Sequence, residues 1–262
     1  MRAPTVRALG WLSAGAHLLS AGEQPTGGDR VLSLGRPASS DERLRRSTRE
    51  CLLAVAAVRA MLEDARADVD AIAGERTGLL YATAAGYGAS NRGFIEGGGG
   101  IHFAYTAPAV IPAEVAIRFG VTGPYGIFLG GPPATLRAIW QAAIWLESGA
   151  CDRALVLAVE TFEECADLYA RAGRLLRWPL VETAGCLWLE AGGGRLLFES
   201  TRGRGHRRAS AGDGGERFSC QPLATLHRWR QGDGSEPLEL DGAWRGEQAR
   251  LRWTVGAPEL RG

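Results

Sequence analysis

The sequence contains no lysine; apart from four histidines, every basic side chain is arginine. That excludes Schiff-base chemistry and any lysine-dependent phosphate loop. Net charge is only +1, so no global field points to nucleic acid or an anionic membrane. No run approaches the roughly 18 apolar residues that a membrane span needs. Cysteines are few and scattered (Cys51, Cys151, Cys165, Cys186, Cys220), odd in number and without a C-x-x-C. This fits reduced thiols in the cytoplasm rather than a disulfide framework. No metal ligand set emerges, because Cys220 and His227 lack a second pair. Nothing in the sequence calls for a cofactor. Gly86-x-Gly88 fails as a dinucleotide fingerprint, since Asn91 stands where its third glycine belongs, and it reads as a tight strand-to-helix turn. Met1 to Ala21 resembles a signal peptide only superficially; Gly10, Gly15 and His17 interrupt it, and Val6 to Ser13 reads as a first strand.

What is present is an ordinary globular balance, 45% apolar and 23% charged over 262 residues. Ser40 or Asp41 is placed to cap a helix over Glu42 to Ala65, with Leu44, Cys51, Leu52, Val55, Val58, Met61 and Leu62 on its buried face. Arg43, Arg45, Arg46 and Arg49 read as its solvated face. Strands are predicted over Thr77–Thr83, Tyr125–Leu129 and Arg153–Val159. Helices are expected over Ser90–Glu96, Ala113–Phe119, Ala134–Ser148 (opened by Pro132-Pro133), Phe162–Arg171 and Gln221–Gln231. The run Gly97 to Gly100 reads as a mobile loop, and so does Arg202 to Glu216. Cys186–Glu190 and Arg195–Ser200 read as two strands joined by Gly192 to Gly194, with further strands at Leu238–Leu240 and Leu251–Val255. Strand and helix alternate from 77 to 160, which argues for an α/β layer with a mostly parallel sheet. Tyr87, Phe94, Phe103 and Tyr105 are by default core aromatics. Trp140 and Trp145, five apart on one helix, do not share a face: one is assigned to the sheet, the other to a partner.

Several segments together resemble the amino-terminal half of β-ketoacyl synthases. RLRRSTRECLLAVAAVRAMLEDA is similar to their first long helix and ERTGLLYATAAGYGASNRGF to the next strand and glycine turn. AEVAIRFGVTGP resembles the approach to the nucleophile strand. ATLRAIWQAAIWLESGACDRALVLAVE resembles the helix and strand that follow, and PLVETAGCLWLEA the closing segment. The resemblance implies a thiolase-like half, layered α-β-α, over residues 1–201, with a small α+β extension over 202–262. Full synthases resemble a duplicated fold whose later half brings two histidines and a lysine to a cysteine. Here the chain ends at Gly262, and His206 and His227 sit in no matching motif.

The segment GPYGIFLGGPPATLRAI, from Gly123 to Ile139, resembles the family's nucleophile elbow, and without any gap the cysteine position falls on Pro132. The degenerate elbow is Gly130, Gly131, Pro132 and Pro133. The family's thiol is activated at a helix amino-terminus, whose N–H groups and dipole favour thiolate. Proline has neither a thiol nor an N–H, so no catalytic residue is assigned. The implied protein is a non-catalytic, chain-length-factor-like subunit, paired with a ketosynthase or with itself through the uncharged strand Tyr125–Leu129. It would serve a fatty-acid-like, polyene or polyketide pathway. Arg202, Arg204, Arg207 and Arg208 form a basic cluster suited to docking an acidic acyl carrier protein. Two alternatives stand beside this: a stand-alone acyl-binding or regulatory homodimer, and a divergent acyltransferase with a relocated nucleophile. Cys151 and Cys165 flank the strand after the elbow and read as inert buried thiols.

Overall fold

A computed structural model describes residues 1–14, 31–37, 47–97, 103–171, 178–203, 215–232 and 237–254. The alternation between 77 and 160 becomes three parallel strands, β3 (Thr77–Thr83) between β4 (Tyr125–Leu129) and β5 (Arg153–Glu160). Antiparallel strands extend this core. β7 (Thr183–Arg202) pairs with β5, with β1 (Arg2–Ser13) and then with β9 (Glu247–Thr254), and β8 (Leu238–Trp244) lies outside β9. A short parallel pair, β2 (Val31–Leu32) with β6 (Leu180–Val181), stands apart from this sheet. β4 ends the order on one side and β8 on the other.

Helices cover both faces, giving the α-β-α layering and mixed sheet expected of a thiolase-like half. On one face α1 (Arg49–Ala65) and α3 (Val110–Phe119) bury Leu53, Val58, Met61, Val115 and Phe119 against Leu79, Tyr81, Leu155 and Leu157. On the other, α4 (Pro132–Glu147) buries Leu136, Ile139 and Ala142 against Leu80, Val156 and Leu187. The two sets alternate along β3 and β5, as a pleat with a period of two requires. α6 (Gln221–Gln231), β8 and β9 close over α4 through Leu223, Leu240, Leu251 and Trp253, so the carboxy-terminal residues share the core of α4. The smaller helices α2 (Gly88–Ile95) and α5 (Ala166–Arg171) follow the carboxyl ends of β3 and β5. β1 lies so close on α1 that a Cβ on Gly10 would stand 2.1 Å from the Ala57 carbonyl oxygen.

Three expectations are corrected. β7 is one strand of 20 residues, not two. The glycines bend it without ending it, because a Cβ at Gly192 would sit 2.6 Å from the Ala3 carbonyl oxygen, where β1 bulges. α1 starts at Arg49, where the Thr48 hydroxyl accepts from the Cys51 N–H; Ser40, Asp41, Arg43, Arg45 and Arg46 lie outside the described residues. Arg49 is not solvated: its side chain is 6% exposed and ion-paired. Residues 98–100 also lie outside the described set. Among the described residues no helix is long and apolar enough to cross a membrane, and no group of three His, Cys, Asp or Glu could hold a metal.

Candidate functional site

The four elbow residues stand between the carboxyl end of β4 and the start of α4. Gly130 turns the chain with φ +142, a backbone that side chains avoid, while its N–H donates to the Thr83 carbonyl at 2.9 Å. Gly131 is the N-cap of α4, and Pro132 and Pro133 occupy its first two positions, both buried. The Ala134 N–H donates back to the Gly131 carbonyl at 2.9 Å. A helix start ordinarily presents several free N–H groups to a ligand. Here the first two are absent and the third is used internally.

Carboxy-terminal side chains fill the space before the turn. The Trp244 indole lies on Gly131 so closely that a Cβ there would come within 2.4 Å of the ring. A Cβ on Gly242 would come within 2.2 Å of the Pro132 Cβ, so β8 runs directly over the proline ring. Trp244 meets Phe218 edge-on at 5.0 Å between centroids, Phe218 meets Phe162 at 5.2 Å, and Phe162 meets Tyr169 at 5.4 Å. An aromatic chain thus runs from the elbow to α5. Reading the sequence missed Trp244, Phe218 and Phe162. The two glycines facing Trp244 and Pro132 are the only local trace of this packing, and they pair with partners over 100 residues away.

Two buried carboxylates frame the site. Glu160, at the end of β5, accepts from the Ala84 N–H (2.6 Å), the Ala85 N–H (2.8 Å), and the hydroxyl and N–H of Ser219. Burial pushes its pKa up to about 7, against the pull of those hydrogen bonds from Ser219, Ala84 and Ala85. Glu182 takes a two-pronged ion pair from Arg49, with Nη1 to Oε1 at 2.7 Å, and accepts from the N–H groups of Leu34, Phe162 and Glu163. Burial alone would raise the Glu182 pKa, but Arg49 and the backbone donors outweigh it and leave it lowered.

Other predicted residues disperse. Arg202 is exposed at the end of β7, opposite Glu247; Arg204, Arg207 and Arg208 lie outside the described residues. Cys151 and Cys165 are buried free thiols, and burial raises the pKa of both. The Thr135 hydroxyl donates to the Ser219 carbonyl at 2.6 Å. Trp145 lies on the sheet beside Gly78 and Gly126, while Trp140 stacks on Phe198 within the chain rather than awaiting a partner. Phe94 and Phe103 are not core residues: they are 41% and 63% exposed and pack on each other at 5.5 Å. Two surface cavities, of about 400 and 490 Å3, are lined by other residues, one beside Arg59, Arg66 and Arg118, the other beside Arg36 and Arg49.

Residues 37–173 match the family model described as β-ketoacyl synthase, N-terminal domain, which is more than half of the chain. No protein of curated function matches. Solved structures share the fold at low identity. A ketosynthase, ApeO, in complex with its chain length factor, ApeC, from Xenorhabdus doucetiae is 14% identical, with a TM-score of 0.65 over 96% of this chain and 100% of that one. A type II polyketide synthase acyl-carrier protein in complex with its ketosynthase aligns at 15% identity and TM-score 0.75, over 98% and 100%. The ishigamide ketosynthase/chain length factor aligns at 14% and 0.73, over 97% and 100%.

Proposed function

This chain belongs to the β-ketoacyl synthase family through its amino-terminal domain, and we propose that within the family it is a non-condensing subunit. The carrying observation is Pro132 at the first position of α4. A condensing enzyme needs a thiolate and an oxyanion donor at the strand–turn–helix tip, and proline supplies neither. Losing one oxyanion donor alone costs roughly 3–4 kcal/mol in the transition state. The helix tolerates the substitution because its first turn does not use that N–H. Burial leaves Cys151 and Cys165 poor nucleophiles, which weighs against a relocated active site.

The role we assign is that of a chain-length-factor-like partner of a ketosynthase in a polyketide or fatty-acid-like pathway of the cytoplasm. The ApeO–ApeC and ishigamide complexes, named as ketosynthases with chain length factors, support this reading. So does the edge strand β4, which is uncharged and leaves Tyr125 and Leu129 exposed. Ile95 and Ile117, about 80% exposed, and Phe94 and Phe103 add further exposed apolar surface. An apolar open edge of this kind is a liability unless it is paired. Residues 1–201 would form the synthase-like unit and 202–262 an extension packed on α4. Arg202, with Arg204, Arg207 and Arg208, would receive an acidic acyl carrier protein.

Co-expression with a ketosynthase of the same gene cluster tests the proposal. The two should co-purify, and Leu129→Arg should abolish the complex, because an unpaired charge buried at an interface costs about 3–5 kcal/mol. A stable monomer that binds neither ketosynthase nor carrier protein would contradict it. The second reading is a homodimer: two β4 strands centred on Ile127 would set Tyr125 opposite Leu129 with no like charges in register. Native mass spectrometry separates the two, giving mixed or doubled mass.

A further inference from the structure

We propose that the segment carrying Phe218 and Trp244 is a displaceable plug over the β4–α4 turn, latched by Glu160 through Ser219 and loosened as pH rises. The inference rests on the fold and not on the function proposed above. Three observations lead to it.

First, the plug is held by packing, by the ladder between β8 and β9, and by polar bonds gathered on Ser219, whose carbonyl also accepts from the Thr135 hydroxyl. Trp244 and Gly242 lie on Gly131 and Pro132. Phe218, the ring beneath Trp244, belongs to the 3-10 turn Phe218–Cys220, and the next residue, Ser219, donates both its hydroxyl and its N–H to Glu160. The same carboxyl accepts from Ala84 and Ala85 in the turn after β3. One side chain therefore ties the carboxy-terminal turn to the carboxyl ends of the parallel strands.

Second, the anchored turn is strained. Phe218 has φ +44, a left-handed conformation that a bulky side chain adopts only when its surroundings impose it. Release of Ser219 would relieve it.

Third, the latch has no counter-ion among the described residues: no basic side chain among them pairs with Glu160. The titratable groups facing it are Tyr81 from β3, Tyr169 from α5 and Cys220 from the turn itself, and burial raises all three above their ordinary values, so they stay neutral near pH 7. From α1, Glu50 is held at one remove, accepting from Thr161; Arg217 borders Cys220; β7 contributes the neutral Thr183 in register with Glu160. Ionising Glu160 places a charge in this neutral pocket.

The sign follows from linkage. The latched state holds the Glu160 proton up to about pH 7, whereas a released carboxyl titrates near its ordinary value. Latching is therefore strongest below the ordinary value and weakens as pH rises through 7. Between pH 6 and 8 the opening equilibrium should increase about tenfold.

Hydrogen–deuterium exchange on the full chain, read by mass spectrometry and corrected for intrinsic exchange, tests this. Protection of 217–220 and 238–244 should fall about tenfold from pH 6 to pH 8, relative to 153–159 in β5. Glu160→Gln should remove that pH dependence. Ser219→Ala, which keeps the carboxyl and the backbone N–H bond but removes the hydroxyl's bond to it, should raise opening at both pH values. Equal protection of the wild-type plug at pH 6 and 8 would overturn the proposal even if the Glu160 variant failed to fold. So would an unchanged pH dependence in a folded Glu160→Gln protein, or a Ser219→Ala plug as protected as the wild type.

Discussion

Replacing Arg49 with methionine should cost about 3–5 kcal/mol of stability at neutral pH and lower the melting temperature by about 10 °C. Arg49 and Glu182 are both withdrawn from water, with side-chain exposures of 6% and 0%. Removing the guanidinium strands a buried carboxylate, and methionine fills the volume without replacing the charge. Glu163 and Glu164, 3.1 and 3.3 Å from the same guanidinium, also lose their partner. Arg49→Lys should fall between the two, since it keeps the charge but not the fork that meets both Glu182 oxygens. The pH profile gives a second readout. The lowered pKa of Glu182 means that its contribution is present above the ordinary carboxylate value and is lost as pH falls through the folded value. Without Arg49 that pKa rises, so acid unfolding should begin at higher pH. Thermal melts from pH 3 to pH 8 check both points; a variant as stable as the wild type would show that the ion pair is not structural.

Pro132→Cys should restore a thiol but not a nucleophile. The new Cβ would stand where that of proline does, directly under Gly242 of β8 and beside Trp244. A thiol there is buried, and burial raises its pKa. Pro133 still denies the helix start its second N–H. Alkylation by iodoacetamide at pH 7.5 should be slower than that of an exposed cysteine by on the order of 100-fold, the loss in thiolate that a rise of about two pKa units brings. No acyl adduct should form from acyl-CoA. Rapid alkylation and acyl transfer by this variant would mean that β8 does not cover the turn.

Much of the architecture was legible because its causes are local. Seven consecutive buried residues in β3 and eight apolar-rich ones in β5, each bounded by turns, could only be interior strands. The double proline after Gly130-Gly131 marked the start of α4, and Gly120, with φ +65, the end of α3. What stayed hidden depends on long-range partners. Arg49 looks like one more surface arginine until Glu182, 133 residues on, is placed beside it. The glycines at 192 to 194 look like a hairpin turn until β1 is laid alongside. Trp140 reads as available for a partner until Phe198 stacks on it at 5.5 Å. The turn before α4 was legible because its double glycine and double proline are local signals. The plug was not, since Phe218, Gly242 and Trp244 carry no periodic signal and gain meaning only against Gly131 and Pro132.

The proposal that the β4–α4 turn is inert is tested most directly by intact-mass spectrometry of the wild-type protein after incubation with acyl-CoA and with acyl carrier protein bearing an acyl thioester. The mass should remain that of the unmodified chain. A stoichiometric increase by one acyl group, retained under denaturing conditions, would contradict the account.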